Sequence, residues 1–168
     1  MPLSRAISVL EFGRFVILSG CSPRYPSNSG CGTQPDPHGA LAVALTALGF
    51  TGRFWETFGR YGGAEEPGYL VSLPREGAAE VNALMRLARE FGQECILHVA
   101  DHRASFWYVN GPLCHPSDNG PQYLGPEGDG FSYLPCTLPP LGNDNYTRVD
   151  LNGKPLYFAF DVPAGAEC

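Results

Sequence analysis

The chain has 168 residues, 43% hydrophobic and 12% aromatic, enough for one domain that buries a core without help from a disulfide or metal. Its net charge of −6, from 17 acidic and 11 basic residues that form no run or stripe, repels a phosphate backbone and argues against nucleic acid as a partner. No apolar stretch reaches the length of a membrane-spanning helix, so no membrane partner is expected either, and the cytoplasm is the expected location. The 21 glycines and 16 prolines cluster in residues 22–39 and 111–144, which read as two long loops between periodic segments.

In chain order, residues 14–20 are β-branched and aromatic and predict a first strand. Leu18-Ser-Gly-Cys21 has the outline of a lipoprotein cleavage site, but Glu11 and Arg14 interrupt the apolar run that a signal peptide needs. Leu18 is therefore read as closing the strand, with Ser19 and Gly20 opening a turn. Asp36 and Pro37 predict a helix start, as N-cap and first helical residue. That helix runs to about Leu48 with Leu41, Leu45 and Leu48 as its buried stripe, and Gly49 ends it.

Residues 52–59 and 68–73 read as strands, with 61–67 as the turn between them. A second helix is expected over about 75–92, where Ala78, Val81, Leu84, Met85, Ala88 and Phe91 recur at spacings of three and four and Gly92 stops it. Strands follow at 94–100 and 103–110. After the loop, 146–151 and 155–161 pair across Asn152-Gly153, a strong hairpin dipeptide.

The order β-α-β-β-α-β predicts an α+β fold of the ferredoxin-like plan, with two helices on one face of the sheet. A fifth strand over 103–110 extends it. Trp55, Ile96 and Trp107 are expected on the face away from the helices, with the C-terminal hairpin as its lid or a dimer or partner surface in its place. The whole chain, 1–168, is read as one domain: a core over 14–110, a loop over 111–144 and a hairpin over 145–162.

Several segments together resemble a known family. They are Ile17-Leu-Ser-Gly-Cys-Ser-Pro23, an Ala/Leu helix closing on Leu48-Gly-Phe50, Glu65-Glu66 before Tyr69-Leu-Val71, and Leu87-Ala-Arg-Glu-Phe-Gly-Gln-Glu-Cys-Ile96. Their order is similar to that of the bacterial and phage family called domain of unknown function 3293, over roughly residues 14–100. Phe91-Gly-Gln93 is the most specific piece. The family's Thr-Ala-x-Asn-Pro reads Ser-Gly-Cys-Ser-Pro here, and the Asn common at the start of its first helix is missing. The resemblance implies a cytosolic bacterial or phage protein and no particular reaction.

The candidate site joins three places. Ser19 and Ser22 lie at the end of the first strand, Glu65 and Glu66 before the third, and Gln93 at the end of the second helix. Antiparallel neighbours in this topology bring the end of the first strand to the start of the third, so Ser19 and Glu66 are expected to meet. A carboxylate, a hydroxyl and a carboxamide together suit a small polar ligand or a positioned water. The plainer reading is that Glu66 caps a turn and Gln93 satisfies backbone groups at the helix end.

His98 and His102 are weaker candidates, because a lone strand histidine is more often a structural group. Cys114, His115 and Cys136, with Cys21, Cys31 or His38, match no standard zinc spacing. Without a C-x-x-C pair the six cysteines predict a reduced chain, and Cys95 reads as a small buried hydrophobe. Phosphate-cradling glycine motifs are missing too, so no cofactor is expected.

The leading expectation is a small, non-enzymatic binding or inhibitor protein acting on a protein partner or a small ligand, with phage or mobile-element counter-defence as one setting and a homodimer as one assembly. The alternative is a small hydrolase-like or nucleotide-acting enzyme using Glu66, Gln93 and a histidine.

Overall fold

The computed structural model describes residues 13–20, 36–61, 64–73, 78–93, 95–100, 103–108, 131–136, 146–151 and 154–160. Eight strands run through them: β1 Arg14–Ser19, β2 Phe54–Tyr61, β3 Ala64–Leu73, β4 Cys95–Ala100, β5 Arg103–Tyr108, β6 Phe131–Cys136, β7 Tyr146–Leu151 and β8 Lys154–Phe160. Two helices, α1 Pro37–Ala47 and α2 Ala78–Glu90, precede β2 and β4. The strands close into an antiparallel barrel in the order β1-β3-β2-β7-β8-β6-β5-β4, and β4 pairs back onto β1 through Phe15–Val99, Val16–His98 and Ile17–Leu97.

This overturns the expected ferredoxin-like sheet. That plan is open, with one face left for a lid, whereas here β5, β6, β8 and β7 carry the sheet round until no edge remains. The C-terminal hairpin is a piece of wall, not a lid: β7 joins β2, and β8 joins β6. The strand β6 falls inside the segment 111–144 read as loop, where Pro135 and the surrounding Gly/Pro content hide it from strand patterning.

Period-two alternation gives the wall two faces. Phe15, Ile17 and Ser19 of β1 share a face with their partners Ser72, Leu70 and Gly68 of β3, and this face continues through Leu97, Val99, Ala104, Phe106, Val149 and Phe158. It lines the lumen. Phe15 and Phe158 lie on strands half the barrel apart, yet their rings stand 6.1 Å from each other, so side chains fill the barrel at that level.

The other face carries Val16, Leu18, Tyr69, Val71 and Leu73, which form one buried cluster with Leu41 and Leu45 of α1 and Val81, Leu84, Met85 and Ala88 of α2. Both helices therefore pack on the outside of the barrel. Ile96 and Trp107, expected on the face away from the helices, belong to this helix-covered cluster.

The helix ends follow local chemistry. The Asp36 carboxylate accepts from the Gly39 amide at 2.9 Å, and Pro37 takes the first helical position. Both helices end in the same way. Gly49 (φ +90°) and Gly92 (φ +70°) turn the chain, while Phe50 N–H returns to Leu45 O and Gln93 N–H to Ala88 O. Leu48, expected in the α1 stripe, is instead 48% exposed, and Phe50 is the buried residue at that end. A bidentate Arg53–Glu80 pair (2.6 and 3.2 Å), with Arg53 also donating to Ser72 O, ties the start of α2 to the wall.

No helix among the described residues is long and apolar enough to cross a membrane.

Candidate functional site at the barrel mouth

The segment 61–67, read as a turn, is mostly strand. β2 and β3 run to a Tyr61–Ala64 pair with only Gly62 and Gly63 between them. Pro67 disguised the strand, because proline ordinarily interrupts a ladder. Glu65 and Glu66 are consequently β3 residues with opposite orientations. Glu65 is exposed and sits across from Arg60, whereas Glu66 is half-buried and follows the inner-face alternation of Gly68 and Leu70.

Ser19 ends β1 on that inner face, paired with Gly68. Its hydroxyl touches Glu66 Oε1 and lies 2.6 Å from Gln93 Oε1. Three elements thus bring Ser19, Glu66 and Gln93 to one point: the end of β1, the start of β3 and the turn after α2. Ser19 and Gln93 are each only 5% exposed.

The Gln93 backbone N–H already closes the α2 cap, so its carboxamide is released from that duty. At the matching position after α1 the chain places Phe50, the apolar residue such a cap favours. Putting a carboxamide there costs free energy unless it is hydrogen-bonded, and Ser19 is its partner. Of the other expected site residues, Glu65 points away from this cluster, and Ser22 lies outside the described residues.

Thr57 adds a residue that sequence reasoning missed. It follows Gly68 in the same inner-face row, is 1% exposed, and its Oγ1 has no hydrogen-bond partner. A Cβ built on Gly68 would stand 3.3 Å from that oxygen and 2.7 Å from Leu18 O. Glycine is thus required where the two strands and the hydroxyl crowd together. Farther round, Gly59 pairs with Glu66, and Thr147, which is fully buried, pairs with Gly59. The wall beside Ser19 is therefore rich in hydroxyls and glycines, whereas the inner face at Ile17, Leu70, Leu97, Val99 and Phe106 is apolar.

No histidine among the described residues joins this cluster. His98 lies on the outer face, stacked on Trp107 at 4.4 Å, and burial together with the Arg14 charge pushes its pKa down to about 4. His102 is outside the described residues. His38, weighed only as a loop metal ligand, sits in the first turn of α1. There it contacts Glu56 Oε1 through Nε2 at 2.8 Å and stacks on Tyr69 at 4.4 Å. Burial, then the charges of Glu56 and Asp36, raise the Tyr69 pKa. This Glu56–His38–Tyr69 group decorates the outer wall. Only the Glu56–Tyr69 register could have announced it, and register is not readable from one strand alone.

Cys114 and His115 lie outside the described residues, and among those described no group of three His, Cys, Asp or Glu side chains could hold a metal. Cys95 is buried, as expected, but it is disulfide-bonded, which corrects the expectation of a reduced chain at this position.

No family model matches the chain, and no curated protein matches it either.

Proposed function

We propose that this chain is a small binding protein that recognises a small polar ligand at the mouth of its barrel, through Ser19, Glu66 and Gln93. The observation that carries the reading is the buried Ser19 hydroxyl held between a carboxylate and a carboxamide from two other elements. An apolar side chain at Gln93 would serve the helix cap equally well, as Phe50 does after α1. A buried carboxamide joined to the hydroxyl of another element, beyond what the cap requires, suits recognition of a polar group. Eight-stranded barrels either fill with side chains or hold one small ligand.

Kinship with domain of unknown function 3293, a cytoplasmic setting and a role in phage or mobile-element counter-defence belong to the same proposal. They rest on the motifs around Phe91-Gly-Gln93. A hydrolase-like activity is a second reading, favoured by one contact: the Ser19 hydroxyl touches the Glu66 carboxylate, a base beside a nucleophile. The histidine that this reading invoked is not His98, which lies on the opposite face of the wall.

Native mass spectrometry of freshly purified protein, compared with its denatured mass, tests the proposal. A retained small molecule that is lost in Ser19→Ala and Glu66→Gln is the expected result. A clean apo mass, with a host protein recovered in its place by surface aromatics, points instead to a protein partner.

A further inference from the structure

Val149 and Phe158 face the lumen, so period-two alternation puts Arg148, Asp150 and Tyr157 on the outer wall, with Phe58 across from Arg148 on β2. The buried cluster beneath the two helices takes no residue from β7 or β8. Neither helix therefore covers this stretch of wall. Its side chains are those of an interface: Arg148 lies over the Phe58 ring at 4.5 Å, and Tyr146 and Tyr157 meet edge to face at 5.8 Å. Arginine and aromatic residues are the types on which protein contacts concentrate their binding energy.

The charges specify the partner. Arg148 Nε comes no nearer than 3.4 Å to Asp150 Oδ1 and, although buried, has no hydrogen-bond partner. Arg53 shows how the same chain completes a structural arginine, holding Glu80 at 2.6 and 3.2 Å and donating to Ser72 O. Arg148 and Asp150 stand two residues apart on one face of β7, an arrangement that is complementary to its own reverse. A second copy laid face to face and antiparallel, about a two-fold axis at the level of Val149, sets each arginine against the other copy's aspartate.

Each chain carries a net charge of −6, so two copies repel except where charge is balanced locally. On this wall it is balanced: Arg60 stands across from Glu65, as Arg148 stands beside Asp150. We infer that the outer wall over β2, β7 and β8 is the face on which two copies of this chain associate, through two symmetry-related Arg148–Asp150 pairs flanked by Phe58 and Tyr157. The face lies outside the barrel, apart from the Ser19 cluster, and does not depend on a ligand there.

Sedimentation equilibrium of the full chain at pH 7 and low salt tests this inference. The wild type is expected at twice the 18.1 kDa of one chain. Arg148→Asp alone and Asp150→Arg alone should each sediment at single-chain mass, because like charges then meet across the axis. An equimolar mixture of the two variants should regain the doubled mass, since every pair is again of opposite sign. Arg148→Gln, a milder change, should weaken association roughly tenfold through two lost ion pairs, and it carries the test if a reversal does not fold.

A wild type of single-chain mass at every concentration up to its solubility limit overturns the inference. So does a mixture of folded variants that stays at single-chain mass. A doubled mass that survives both reversals also overturns it, and its loss in Val43→Glu would move the contact to the exposed face of α1.

Discussion

At the residue scale, the same residue type serves opposite ends in different places. His98 and His38 both stack on an aromatic ring of the outer wall, yet His98 has an arginine nearby and His38 a carboxylate. The pKa of His98 is held at about 4, well below the 6.5 of an unfolded histidine. Between those values the unfolded chain binds a proton that the folded chain refuses. Stability is therefore complete above about pH 6.5 and is lost as pH falls toward 4, with on the order of 3 kcal/mol at stake. Thermal melts from pH 7.5 to 4 should show this loss, and His98→Phe, which retains a ring against Trp107, should flatten it. An unchanged profile in the variant would show that carboxylates elsewhere control acid stability.

At the scale of elements, β1, β3 and β2 approach so closely at Gly68 that no side chain fits there. Gly68→Ala would place a Cβ 2.7 Å from the Leu18 carbonyl, which is backbone and cannot rotate aside. The strands must shift, at an expected cost of about 1–3 kcal/mol in chemical denaturation. Because Ser19 and Glu66 flank this point, the variant should also weaken any ligand held by the mouth. Gly52→Ala is the contrast: nothing lies within 4 Å of its Cβ, and only its positive φ of 74° resists substitution, so it should cost about 1 kcal/mol. Equal losses at the two positions would mean that β3 gives way more easily than its packing implies. α1 shows the complementary lesson. The stripe expected there is Leu41, Leu45 and Leu48, yet only Leu41 and Leu45 are buried, while Leu48 is 48% and Val43 71% exposed.

At the scale of the molecule, barrel closure and the Cys95 disulfide are the two facts that no single segment announces. Disulfides persist in oxidising compartments and are rare in the cytosol, so the Cys95 bond weighs against the cytoplasmic part of the proposal. Alkylating the denatured, unreduced chain is expected to label fewer than its six cysteines, and prior reduction should restore all six. Six labelled thiols without reduction would return the chain to a reducing compartment and leave Cys95 as a buried thiol.

Sequence by itself determined what depends on near neighbours. Asp36 and Pro37 start α1, Gly49 and Gly92 end the helices, and the spacing of Val81, Leu84, Met85 and Ala88 marks the buried face of α2. Each is set by backbone chemistry within a few residues. The neighbourhood of Ser19 and Glu66 was also within reach, because it requires only that the end of β1 run antiparallel beside the start of β3. What the tertiary structure alone decided is the barrel. A β-α-β-β-α-β order is compatible with an open sheet, and closure depends on which strands β5 to β8 pair with across long sequence separations. The inner placement of Thr57 and the outer placement of His98 follow from the same pairings. A one-residue slip in register would exchange the two faces, and nothing local in either strand forbids that slip.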